Sequence, residues 1–146
     1  MLPLLEDVLQ LLPTKRPMLN PMIRTSEDEL VQFRIGLLST RLAAVRALLF
    51  SEANAVWSAA EAKAEFTSVM RTRARSMMAY VHSECMAVVD ELFQLCGTTP
   101  LYDGSPVQRR YRDLRTACQH IVASPEIYRP YGALLMGVTP PLEAAL

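Results

Sequence analysis

From Glu27 to about Ala62 the chain runs without a helix breaker, and Gly36 is the only glycine in that span. One glycine costs a helix about 1 kcal/mol relative to alanine, so a single long helix is predicted over 26–62. Ser26 and Glu29 open it with an S-x-x-E capping box, in which hydroxyl and carboxylate satisfy two orphan amide donors. Leu30, Phe33, Leu37, Leu48, Ala55 and Ala59 line one face, and Val31, Leu38, Leu42, Val45, Leu49 and Val56 widen it. The opposite side carries Gly36, Ala43, Ala47, Phe50, Asn54 and Trp57 in place of charges. A helix apolar nearly all round is surrounded by protein on most sides, and Gly36, Ala43 and Ala47 would let a neighbouring helix come close. One domain of 146 residues cannot easily cover such a helix, so another subunit or a further domain is expected against it.

The remaining segments also read as helices. MLPLLEDVLQLLP begins like a signal peptide, but Glu6 and Asp7 break its apolar run and no basic start or small-residue cleavage site accompanies it. It is read as a short helix over 1–12, followed by a linker over 13–25 that carries Pro13, Pro17 and Pro21. A second long helix is predicted over 67–96, its stripe formed by Met70, Ala74, Met77, Met78, Val81, Cys85, Val88, Val89, Leu92 and Cys96. Met86 and its neighbours suit adaptable core filling better than a binding groove. Gly97 closes that helix as a left-handed cap. Ser105, Pro106 and Gln108 open a helix over 105–123, and Ser124 and Pro125 open a last one over 125–137, with a loose tail after it. Asp103-Gly104 is the sole hairpin-type dipeptide and no alternating strands flank it. The fold class is therefore all-α: an antiparallel four-helix bundle with two long helices, in one domain over 1–146.

Composition excludes several functions. Fifteen basic residues balance fifteen acidic ones, whereas a nucleic-acid surface needs a net basic one. No apolar run reaches the ~18 residues of a membrane span. Cys85, Cys96 and Cys118, with His82 and His120, have no metal-ligand spacing. No metal is expected, and the cysteines read as reduced thiols of a cytoplasmic protein.

The most charged stretch is SPVQRRYRDLRTACQH, residues 105–120. On a helix, Val107, Tyr111, Leu114, Cys118 and Ile121 form the buried side. Arg112, Thr116 and His120 form a ridge, with Asp113 beside it and able to pair with Arg109 or Arg110. Three readings stay open from spacing alone. The ridge is a solvated arginine face, a nucleic-acid stripe without the usual aromatic platform, or a contact for an anion or cofactor.

The segment PVQRRYRDLRTACQHIVASPEIYRPYGALLMG resembles the C-terminal helical domain of acyl-CoA dehydrogenase-like flavoproteins, closest to the flavin-dependent monooxygenases of the dibenzothiophene and hydroxyphenylacetate type. The resemblance rests on Pro106, Gln108, Arg109, Arg112, Asp113, His120, Ser124, Pro125, Gly132 and Gly137, and on the lead-in DELFQLCGTTPLY. It covers about residues 3–138. It implies that this chain forms the last third of a larger enzyme, beside an N-terminal helical domain and a β-barrel. FMN or FAD would lie between barrel and bundle, with none bound by this chain alone, and the helical faces would build a homo-oligomer. By the same resemblance His120 faces the flavin ring in the catalytic position, and Arg112, Asp113, Thr116, Gly97 and Tyr102 touch the cofactor.

Two departures bear on the reaction. Where acyl-CoA dehydrogenases often carry a glutamate base, this chain has His120-Ile121-Val122-Ala123. Removing a proton beside a thioester needs a base within hydrogen-bond reach, so oxygenation is favoured over dehydrogenation. Where dehydrogenases have Gly-Gly against a neighbouring subunit's cofactor, this chain has Gly97-Thr98. The alternatives are an acyl-CoA dehydrogenase proper and a non-enzymatic helical oligomerisation module.

Overall fold

The computed structural model describes residues 3–18 and 20–140. Among them there is no strand, and five α-helices follow in order: α1 (Pro3–Leu11), α2 (Glu29–Glu61), α3 (Ser68–Leu95), α4 (Pro106–Ala117) and α5 (Tyr128–Leu135). Short 3₁₀ turns connect them at Leu12–Thr14, Thr25–Glu27, Thr99–Leu101, Ile121–Ala123 and Pro125–Ile127. The all-α expectation holds, with α2 and α3 as the two long antiparallel helices. The expected loose tail falls partly on 141–146, outside the described residues. The chain divides into two compact units, one from residues up to 43 with 85–117 and one from 44–84 with 118 onward.

Helix boundaries follow the caps. The box expected at Ser26 is displaced, because residues 25–27 form a 3₁₀ turn in which the Arg24 amide donates to Glu27 Oε2 at 2.7 Å. Asp28 caps α2 instead, its Oδ1 accepting from the amides of Leu30 (2.9 Å) and Val31 (3.3 Å). An aspartate carboxylate accepts these orphan donors and also suits the positive end of the helix dipole. Thr67 caps α3 through Oγ1, which accepts from the Met70 amide at 3.2 Å. Gly97 ends α3 at φ +56°, as the sequence predicts.

The first unit has an aliphatic interior. Leu4, Leu5, Val8 and Leu12 are buried from α1 and its following turn, Leu38 from α2, Val88, Val89, Leu92 and Cys96 from the end of α3, and Val107 from α4. Arg110 of α4 pairs with Asp7 of α1 at 2.5 Å. On α2, Arg41 meets Glu91 of α3 at 2.6 Å, and Arg34 reaches the same carboxylate at 3.8 Å.

Burial pushes the Cys96 thiol up from 9.0 to about 11, against a smaller lowering by the Lys15 charge. Tyr111 is also raised above its ordinary 10.0, first by its hydrogen bond to Asp90, then by burial. Both groups hold their proton longer in the folded state, so the contribution of Cys96 is complete below pH 9 and is lost as pH rises toward 11, while that of Tyr111 is lost only above pH 10. The urea midpoint should therefore fall progressively above pH 9, and Cys96→Ala should flatten that decline; an unchanged slope in the variant would reject this assignment.

The second unit is more polar inside. Val45, Ala79, Val81 and Ile127 are buried together with Glu52, Thr72 and Ser76. Thr72 Oγ1 donates to Ser68 O at 2.8 Å and Ser76 Oγ to Ile127 O at 3.4 Å, so these hydroxyls are buried without an unmet hydrogen bond. Met70, Ala74, Met77 and Met78, expected as the buried stripe, are only half-buried. The physical reason is that Thr72, Ser76 and Ala79 take the inner positions, their small side chains fitting where the methionines would not. From Val81 onward the expected stripe is largely buried, with Cys85 half-buried.

On α2 the widening set contains the buried side, and the set expected to lead does not. Leu38, Val45 and Glu52, seven residues apart, are the buried positions of this helix. Leu30, Phe33 and Trp57 are each 67% exposed, and Leu37 and Phe50 are exposed too. A Cβ added at Gly36 would meet nothing within 4 Å. The chain therefore leaves open the surface whose apolar character the sequence shows.

Candidate functional site

The charged stretch forms a shorter helix than the sequence implies. α4 ends at Ala117, and the expected continuation to 123 is replaced by a turn and the 3₁₀ segment Ile121–Ala123. His120 accounts for part of the break. Its φ of −66° and ψ of 146° are extended, and its Nδ1 accepts from the Val122 amide at 3.3 Å. It thus caps the following turn, where a helical ridge with Arg112 and Thr116 was expected. The expected inner position of Ile121 is likewise lost, since Ile121 is 73% exposed.

The four arginines of this stretch differ in their partners. Arg109 pairs with Asp113 at 4.0 Å, Arg110 with Asp7 at 2.5 Å and Arg115 with Asp90 at 3.9 Å. Arg112 has no ion-pair partner among the described residues and is exposed. Three of the four charges are compensated within the unit, which disfavours a nucleic-acid stripe. Asp113 holds an arginine, as expected, and Thr116 spends its hydroxyl on Arg112 O at 2.9 Å.

Around α4 the sequence reading missed a linked group. Tyr111 Oη donates to Asp90 Oδ1 at 2.8 Å, its ring lies 4.4 Å from that of Phe93, and the Arg115 guanidinium sits 6.0 Å from the Tyr111 ring centroid. These contacts tie α4 to the last turns of α3. The spacing of Asp90 and Phe93 on α3 offered a hint, since both flank the buried Val89 and Leu92.

Gly97 and Tyr102 follow the C-terminal end of α3, just beyond Asp90 and Phe93, in the same unit. Tyr102 is exposed and lines a cleft of about 450 Å³ together with Asp7, Gln10, Thr14, Thr99 and Val107. A second groove of about 350 Å³ is lined by Leu4, Val89, Arg110, Asp113 and Leu114. Neither concavity gathers the expected residues: one has Tyr102, the other Asp113, while Arg112 and Thr116 line neither. His120 belongs to the second unit. Among the described residues no group of three or more His, Cys, Asp or Glu could hold a metal ion, and no helix is long and apolar enough to cross a membrane.

Residues 4–125 match the family described as acyl-CoA dehydrogenase, C-terminal domain. The chain belongs to this family. The proteins that this acyl-CoA dehydrogenase C-terminal domain resembles include two hydroxylases and a monooxygenase. A pigment production hydroxylase of Rhodococcus erythropolis is 24% identical over 123 residues, which are 82% of this chain and 31% of the relative. XiaF from Streptomyces sp., solved in complex with FADH2 and glycerol, superposes with a TM-score of 0.88 at 21% identity, over 94% of this chain and 35% of XiaF. The HsaA monooxygenase from M. tuberculosis gives 0.82 at 22% identity, over 98% of this chain and 36% of that one. The 3-HSA hydroxylase of Rhodococcus sp. RHA1 gives 0.74 at 26% identity, over 83% and 32%. The chain spans about a third of the length of each of these relatives.

Proposed function

We propose that this acyl-CoA dehydrogenase C-terminal domain serves a flavin-dependent monooxygenase, giving one wall of the flavin and substrate site and part of the oligomer contacts. The observation that carries the reading is the fit of nearly the whole chain onto one third of XiaF, which is solved with FADH2. The flavin, FMN or FAD, supplies the redox chemistry when bound. This chain's residues bind and orient. Arg112 offers an exposed guanidinium without an ion-pair partner among the described residues to an anionic group, from a helix that the Tyr111–Asp90 bond ties to α3. Because His120 Nδ1 accepts from Val122, its neutral ring carries the proton on Nε2 and presents a donor outward. Thr116 and Asp113 steady α4, and Gly97 and Tyr102 offer backbone and phenol just past the C-terminal end of α3. His120-Ile121-Val122-Ala123 holds no carboxylate to act as a base, so oxygenation remains favoured over acyl-CoA dehydrogenation.

On this reading the bundle gives one side of the site and the β-barrel and N-terminal helical domain of the parent enzyme give the rest. Titrating FMN and FAD into the purified chain and following flavin fluorescence tests it. No tight binding is expected; stoichiometric, tight binding by this chain alone would overturn the shared-site proposal. Reading the DNA upstream of the Met1 codon separates the enzyme reading from the non-enzymatic module. An open frame encoding a β-barrel supports the first, and a ribosome-binding site directly before Met1 supports the second.

The exposed α2 residues carry the oligomer part of the proposal. Phe33 and Trp57, each 67% exposed, are expected to lie against another copy. Sedimentation velocity at micromolar concentration should show a dimer or larger species, and Phe33→Glu with Trp57→Glu should dissociate it without loss of helical circular dichroism. A monodisperse wild-type monomer would sink this part.

A further inference from the structure

The segment between α1 and α2 is fastened to the end of α3 by one side chain. Lys15 follows the 3₁₀ turn Leu12–Thr14, and its amide donates to Leu12 O at 3.3 Å while its carbonyl accepts from the Thr25 amide at 2.9 Å. Its backbone is thereby held from both sides. Its Nζ donates to the Cys96 carbonyl and to Thr99 Oγ1 at 2.8 Å. The last carbonyls of a helix lack intrahelical partners and lie at the negative end of its dipole, so an ammonium group there is doubly favoured. The turn it meets is set by Gly97 at φ +56°, where a Cβ would approach Lys15 Nζ to 3.3 Å. Glycine at this position supplies both the left-handed backbone and the room for the ammonium group.

We propose that Lys15 is a latch: it positions the turn from Cys96 to Tyr102 by holding the end of α3 to the proline-rich segment. The proposal rests on the flavin reading only where it gives Gly97 and Tyr102 a cofactor to touch; the latch itself is a property of this chain. Tyr102 leaves the turn one residue after the 3₁₀ segment Thr99–Leu101, and its amide donates to Thr99 O at 3.3 Å. Releasing Thr99 therefore releases Tyr102. Lys15 is a positioning residue, acting on any bound group through Tyr102 and the Gly97 backbone.

Cys96 reports on the latch. Its side chain is fully buried and Sγ donates to Leu92 O at 3.3 Å, so a thiol reagent reaches it only when the turn opens. The experiment is thiol labelling of the whole chain, mapped by peptide mass spectrometry, beside amide hydrogen exchange. Lys15→Met should speed Cys96 labelling about ten-fold or more, as expected when a hydrogen bond to a charged group is lost. Exchange at Gly97, Tyr102 and Thr25 should rise with it, while the amides of Thr72–Ala79 keep their protection. Lys15→Arg should restore most of the protection, since a guanidinium also donates to both acceptors. Thr99→Val removes one acceptor only and should give a smaller increase, of roughly three-fold; it keeps the test available if Lys15→Met fails to fold. Cys96 labelling in Lys15→Met within about two-fold of wild type, or an equal rise of exchange throughout the chain, would overturn the latch. No flavin enters these measurements, so failure of the latch and failure of the flavin reading are told apart.

Discussion

Leu92→Ala should lower the unfolding free energy by about 2–5 kcal/mol, the range for a fully buried leucine whose site cannot collapse. Leu92 has no exposed surface, and neither do Val8, Val88, Val89 and Cys96 of the same unit. Short, β-branched neighbours are stiff at χ1 and fill a void poorly, which favours the upper part of that range. Domains of this size are stable by about 5–15 kcal/mol, so the loss is a large share of the total. The comparison is Leu37→Ala on α2. Both leucines stand on a face that the sequence marks as apolar, yet Leu37 is 45% exposed, and its truncation should cost less than about 1 kcal/mol. Urea unfolding followed by circular dichroism reads both. Equal losses in the two variants would mean that Leu37 is covered as fully as Leu92, as it would be by another copy lying on α2.

That pair of leucines shows where sequence reasoning succeeds and where it stops. The identity of the long helices follows from what is absent, breakers and hairpin turns, and from the cap at Gly97. The inner side of the end of α3 follows from the regular spacing of Val81, Val88, Val89 and Leu92. On α2 the same method fails because apolar residues surround the helix, and periodicity carries no information when every face is apolar. In the first half of α3 it fails for a different reason. Thr72 and Ser76 are buried because their hydroxyls bond to Ser68 O and Ile127 O, and hydropathy alone takes no account of a satisfied hydroxyl. For the site, the residue types in α4 were legible, and spacing narrowed the partner of Asp113 to Arg109 or Arg110, of which the structure shows Arg109. The partners Asp7 and Asp90 were not, since they are set by tertiary packing. His120 was legible as a residue and misread as a helical one. Its ring accepts its own turn's amide, a local alternative that histidine shares with aspartate and asparagine.

Arg73→Ala should cost about 2–3 kcal/mol, through Glu52. This carboxylate is 7% exposed and stands in the buried line of α2, seven residues after Val45. Arg73 Nη2 meets its Oε1 at 2.6 Å from α3. Breaking a buried pair by removing one partner costs about 3–5 kcal/mol, but the Arg73 side chain is 52% exposed, and solvent screening reduces the loss. The arginine alone is therefore not the source of the penalty; the carboxylate left behind is. Glu52→Leu tests that assignment, because an apolar side chain at an inner position needs no partner. In the Glu52→Leu background, Arg73→Ala should cost less than about 0.5 kcal/mol, as for an ordinary surface arginine, and the cycle of four proteins should return a coupling of about 2 kcal/mol. A cost for Arg73→Ala that is the same in both backgrounds would show that packing of the arginine stem, and not the ion pair, holds this place. The expected coupling also explains why a glutamate occupies an inner position at all. α2 carries apolar residues on most sides, so hydrophobicity alone fixes its rotation against α3 poorly, whereas a buried carboxylate is tolerated only in the rotation that brings it to Arg73. The pair thus selects one alignment of the two helices, at the expense of stability that leucine would have supplied.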